Sequence, residues 1–156
     1  MNELLKVDLV KLVGAASGPV SLVIATSIFL HMLTSRYIDM YARFHAFTDE
    51  YRKLGDGGAA RKDSLRKQIS LYRKRIALSR AASRWLNIAV ITFILTVGCT
   101  CLAIAYPKIV IWPVAGFFTT WVGLGLLVLA SIYELRENAM ARHAIMAELS
   151  DVKDQI

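Results

Sequence analysis

Residues 73–106 read RKRIALSRAASRWLNIAVITFILTVGCTCLAIAY. The first third holds five cations, Arg73, Lys74, Arg75, Arg80 and Arg84. After Arg84 no Asp, Glu, Lys or Arg occurs until Lys108. One continuous helical register runs across this change. Leu65, Ile69, Tyr72, Ile76, Ser79 and Ser83 are spaced 4, 3, 4, 3 and 4 apart, with Leu71, Leu78 and Trp85 as a second stripe beside them. Such spacing places apolar residues on one face of a helix. The stretch reads as a charged helix that becomes a membrane span without a break.

Two more segments share the apolar character. Residues 12–35 and 109–133, like 85–106, contain no Asp, Glu, Lys or Arg. About 20 apolar residues suffice to cross the ~30 Å hydrocarbon core. The hydrophobic fraction of the whole chain is 56% in 156 residues, and its net charge is +7. This is too apolar for an ordinary soluble domain. The length predicts one domain, 1–156. A cleaved signal peptide fits the first span poorly, because its apolar run exceeds the usual 7–15 residues. Net positive charge also follows it rather than precedes it, since the two Lys of residues 1–16 are matched by two acids.

The charge is concentrated. Residues 35–84 carry thirteen Lys and Arg against five acids, and the rest of the chain carries only six basic residues. Cytoplasmic connections hold the excess of Lys and Arg. The expected topology therefore has the amino terminus outside, residues 36–84 in the cytoplasm, the short Tyr106-Pro107-Lys108 connection outside, and the tail 134–156 in the cytoplasm. Trp85, Tyr106, Trp112 and Tyr133 fall near span ends, where aromatic rings favour the interface.

The basic insert itself reads as structure. Tyr37, Tyr41, Phe44, Thr48 and Tyr51 are spaced 4, 3, 4 and 3 apart. Gly55-Asp56-Gly57-Gly58 is the strongest turn signal in the chain. A heptad-like arm on each side of that turn predicts an antiparallel helical hairpin. The tail carries an imperfect apolar stripe of Leu135, Ala139, Ile145, Met146, Leu149 and Val152, with five acids against three basic residues. Its opposite charge predicts packing against the hairpin.

No segment presents an enzyme site. The chain has no glycine-rich phosphate loop, no metal-ligand spacing of Cys and His, and no carboxylate within a span. No catalytic residue, cofactor or metal is expected. Cys99 and Cys101 are too close for a disulfide with each other and read as small apolar fillers. His31 is a candidate intramembrane polar site, because an ionisable residue in a span is a functional candidate by default. Thr92, Thr96 and Thr100 put hydroxyls on one helix face over three turns. Both a pore lining and a helix-packing face have this form. Small residues recur at Gly14 and Gly18, at Ser17, Ser21 and Ala25, and at Ala115, Thr119 and Gly123. Such patterns let helices approach within one chain or between copies.

Arg66, Lys67, Arg73, Lys74 and Arg75 are candidate contacts for an anionic partner. Three readings compete for them: a solvated face that sets topology, attraction to anionic lipid, and an anionic cytoplasmic partner or permeating anion. The lipid field decays within a Debye length of ~8–10 Å, so only Arg36, Arg80 and Arg84 lie near enough. Nucleic acid is disfavoured, because the aromatic residues occupy the helix-packing face.

The runs Thr34-Ser35-Arg36-Tyr37, Arg43-Phe44-His45 and Tyr51-Arg52-Lys53-Leu54, then a turn, then Gln68-Ile69 and Leu71-Tyr72-Arg73-Lys74-Arg75 before an apolar span, carry a resemblance. Over residues 17–130 the chain resembles a bacterial family of small multi-span inner-membrane proteins classed as a domain of unknown function. The resemblance implies a bacterial inner-membrane location and the three-span topology, and it brings no catalytic residues. The expectation is an all-α membrane protein with three transmembrane helices, a cytoplasmic hairpin between the first and second, and a cytoplasmic C-terminal helix. It is in contact with the lipid bilayer, self-associated and non-enzymatic. A scaffold or accessory role and an oligomeric, anion-favouring channel are its two possible functions.

Overall fold

The buried positions of the second helix are Leu65, Tyr72, Ile76, Ser79, Ala82, Leu86, Ala89, Phe93 and Thr96. From Tyr72 onward they recur every three or four residues, so one face is covered through both the charged and the apolar halves of the helix. The computed structural model describes residues 9–54 and 59–153. Three helices account for nearly all of them: α1 (Leu9–Lys53), α2 (Ala59–Ala105) and α3 (Ile111–Lys153). No strand occurs among the described residues. The turn expected at 55–58 lies outside them, as do the first eight residues. The side chains of Ile145, Met146, Leu149 and Val152, expected on the tail stripe, are likewise outside the description.

All three helices are long and apolar enough to cross a membrane. Their apolar windows bury only 6%, 22% and 17% of their residues within the protein. Large side chains such as Ile24, Ile28, Ile91, Ile94, Phe117, Phe118 and Trp121 remain exposed along them. An exposed apolar band of that extent needs a non-aqueous environment. The molecule is a multi-pass membrane protein.

Pro19 stands inside α1 and Pro113 in the first turn of α3. At the start of a helix the missing N–H has no intrahelical acceptor to lose, which explains why α3 begins at Ile111 and tolerates Pro113. The connection before it is a tight turn. The Ile109 N–H donates to the Tyr106 carbonyl at 3.0 Å, with Pro107 at the position where its fixed φ suits the turn.

The chain divides into two compact units, and each helix contributes to both. The first comprises Met1–His31 and Arg84–Ala130. Here Gly123 of α3 lies against Phe93 of α2: a Cβ at Gly123 would come within 2.5 Å of the Phe93 ring. The ring fills the place that a side chain at Gly123 would occupy. Gly116, one heptad earlier, faces Cys99 and Thr100 with ordinary van der Waals room for a methyl. Gly14 and Gly18 of α1 face open space.

The second unit comprises Met32–Ser83 and Ser131–Ile156. Segments of α1, α2 and α3 touch one another in it. Phe47 packs on Tyr72 with ring centroids 5.4 Å apart, and Glu50 accepts from Arg61 at 2.7 Å. Leu33 and Met40 are the buried apolar positions of α1 in this unit. The face expected from spacing, Tyr37/Tyr41/Phe44/Thr48/Tyr51, flanks that seam instead, and Tyr41 is 45% exposed. The physical reason is the third helix. A helix held by two neighbours turns its buried direction between them, whereas the Tyr37/Tyr41/Phe44/Thr48/Tyr51 spacing suits a single neighbour.

Candidate functional site

Where α3 leaves its apolar stretch, two carboxylates follow at Glu134 and Glu137, one helical turn apart and hence on one face. Both are buried, and Glu137 is only 1% exposed. The first residue of α1 beyond its uncharged run is Arg36. Its guanidinium pairs with Glu134, reaches the Glu137 carboxylate at 3.3 Å and donates to Asn138 Oδ1 at 2.7 Å. From α2, Arg75 Nε donates to the other oxygen of Glu137 at 2.7 Å. The Arg75 guanidinium also lies 5.2 Å from the centroid of the Tyr72 ring. Two cations, two carboxylates and an amide thus join all three helices of this unit.

The charges are balanced, but the positions differ. Arg75 is 14% exposed at its side chain, whereas Arg36 is 39% exposed. Burial pushes the Glu134 carboxyl above its usual value; Arg36 opposes this, and Glu137 adds to the rise. The pairing and the upward shift pull against each other. The shift prevails because water screens the half-open Arg36 while the Glu134 carboxyl itself is buried. Removing Glu137 would leave Arg75 without its counter-charge in a buried place.

A second feature lies on the α1–α2 seam of the same unit. Tyr41, Phe44, Arg73, Ile76, Ala77 and Arg80 line a cavity of about 270 Å³. The Arg80 guanidinium donates to the Tyr37 hydroxyl at 3.1 Å, and the Tyr37 ring stacks on Tyr41. Arg73 is exposed and has no anionic partner among the described residues.

The residues singled out from sequence separate into distinct roles. Arg75 is held by Glu137, so its charge is answered within the chain. Lys67 pairs with Asp63 one turn away at 3.0 Å. Arg66, Arg73 and Lys74 are exposed, without ion pairs among the described residues. In the other unit, each hydroxyl of the threonine face bonds to a carbonyl one turn back: Thr92 to Ile88, Thr96 to Thr92 and Thr100 to Thr96. Thr96 also lies 2.8 Å from the Thr119 hydroxyl on α3. His31 is exposed on α1. Cys99 and Cys101 are free thiols, half-buried.

Glu134, Glu137 and Asn138 were not among the expected functional residues. A signal was available: two acids one turn apart directly after the third apolar segment, opposite a lone Arg directly after the first. No grouping of three or more His, Cys, Asp and Glu able to hold a metal occurs among the described residues.

Residues 16–147 match the family described as protein of unknown function DUF2721. The chain belongs to that family. The match takes in most of all three helices of this DUF2721 member, including Arg36, Arg75, Glu134 and Glu137. No curated protein and no solved structure matches the chain.

Proposed function

We propose that this DUF2721 protein is a non-enzymatic scaffold or accessory subunit of the bacterial inner membrane, self-associated, with its amino terminus outside. In this reading residues 36–84 form an antiparallel hairpin that meets an anionic partner in the cytoplasm. The carrying observation is the division of the basic residues. Arg36 and Arg75 are answered by buried acids of α3, while Arg43, Arg66, Arg73, Lys74 and Arg84 stay exposed and without ion pairs among the described residues. Cations left outward on a rigid helical support are available to another molecule. The positive-inside rule supports the orientation.

The alternative is an oligomeric channel with the Thr92/Thr96/Thr100 face on its axis. Against it stands the bonding of those hydroxyls, each of which has a backbone acceptor on its own helix. A threonine so engaged serves packing between helices.

The test is charge reversal at Arg66, Arg73 and Lys74 in the full-length protein. Under the scaffold reading, co-purification of cytoplasmic partners is lost and liposomes holding either protein show no ion flux. Anion-selective flux that the reversal alters would overturn the scaffold in favour of the channel.

A further inference from the structure

We infer that the α1–α2 groove between Arg73 and Arg80 is the docking site for an acidic amphipathic helix of a partner protein. The inference rests on the scaffold reading and names its contact surface.

The groove has the composition such a ligand requires. Its floor and walls are Tyr41, Phe44, Ile76 and Ala77, and its two charged members are both arginines. No acid lines it among the described residues. Among the described residues of the same unit, the buried carboxylates Glu134 and Glu137 are taken up by Arg36 and Arg75. Charge complementarity therefore points to an anion from outside the chain.

Spacing specifies the kind of anion. Arg73 and Arg80 lie seven residues apart on α2, so their Cα atoms are separated by roughly 10 Å along the helix and share one face. Ile76 and Ala77 fall between them. A partner helix with carboxylates two turns apart and an apolar side chain between them repeats that pattern in complementary form. Helix-in-groove recognition uses such anchors. The small Ala77 leaves room for the apolar residue, and Arg80 is held in place by the Tyr37 hydroxyl. A compact phosphate finds less here. The groove runs along the sides of two continuous helices, whose backbone N–H groups are engaged within the helices and form no anion-binding nest.

The test uses the full-length protein in nanodiscs of zwitterionic lipid. The probe is a fluorescent alanine-based helical peptide bearing two Glu residues two turns apart with Leu between them; a twin with Lys for Glu is the control. The acidic peptide is expected to bind and the control to fail. Arg73→Glu combined with Arg80→Glu should weaken binding by about tenfold or more, since each reversal sets like charges together. Ala77→Trp, which fills the notch and keeps both charges, should weaken it as well. Arg52→Glu combined with Lys53→Glu, the same change in net charge at exposed residues outside the groove, should stay within about twofold.

Absence of acidic-peptide binding overturns the proposal. So does equal loss in the two charge-reversed variants, which would mean a diffuse field. Loss of phosphatidylserine-vesicle capture with peptide binding spared overturns it too, in favour of a lipid headgroup site. If peptide binding fails while reversal at Arg66, Arg73 and Lys74 still abolishes partner co-purification, the groove is refuted and the scaffold stands.

Discussion

Arg75 on α2 donates from Nε to the buried Glu137 carboxylate on α3 at 2.7 Å, and the other oxygen of that carboxylate faces Arg36 on α1 at 3.3 Å. One side chain therefore links the three helices of its unit. A carboxylate with 1% exposure holding two cations is a point where a single substitution has a large effect.

Glu137→Ala should destabilise the protein by roughly 3–5 kcal/mol, because it leaves Arg75 buried without its counter-charge. Thermal unfolding in detergent measures this. A companion Arg75→Met in the same chain should recover part of the loss, since it removes the uncompensated cation. No recovery in the double variant would show that Glu137 acts through packing rather than charge.

Glu134→Gln should act in the opposite direction at neutral pH. The folded-state value of Glu134 is raised above its unfolded value, so its ionised form costs stability above that raised value, and the cost is relieved as pH falls through it. Glu134→Gln should accordingly melt slightly higher than the parent near neutral pH, and the difference should shrink on acidification. A variant that melts lower than the parent near neutral pH, with the deficit closing on acidification, would mean that the Arg36 pairing outweighs the burial.

Gly123→Ala should cost about 1–3 kcal/mol, since its methyl meets the Phe93 ring in a packed place. Gly116→Ala, where a Cβ finds ordinary contact distances, should be nearly neutral. Melting temperatures of the two variants, compared side by side, check this. Adding Phe93→Leu should rescue Gly123→Ala.

Thr96→Val should lower stability by only about 0.6 kcal/mol, the usual size of a hydrogen bond between membrane helices. Thr119 keeps its acceptors at the Ala115 and Gly116 carbonyls. Liposome flux should be the same for parent and variant. Altered ion selectivity would place this face on a conducting path.

Much of the helical architecture was legible in the residues. The three uncharged segments mark the three long helices, and the unbroken spacing from Leu65 to Trp85 anticipates that α2 carries on from charged into apolar sequence. The candidate site was less so. The basic residues were visible, but which of them are answered internally was not. Arg75 and Arg73 are two residues apart with the same chemistry. One is held by Glu137 and the other is exposed, a difference set by which side of α2 meets α3. The α1 face shows the same effect. Tyr37, Tyr41 and Phe44 satisfy helical spacing, yet Leu33 and Met40 are the buried residues, because α1 packs between two neighbours.

By itself, then, the sequence determined that this protein is helical and membrane-embedded, since those properties follow from uncharged runs of sufficient length and from periodicities local to each segment. Only the tertiary structure decided that Glu134 and Glu137 neutralise Arg36 and Arg75, that Phe93 occupies the space beside Gly123, and that Arg73 and Arg80 flank a groove. These relationships join residues distant in the chain, and their pairing depends on the rotation and register of whole helices, which no local pattern encodes.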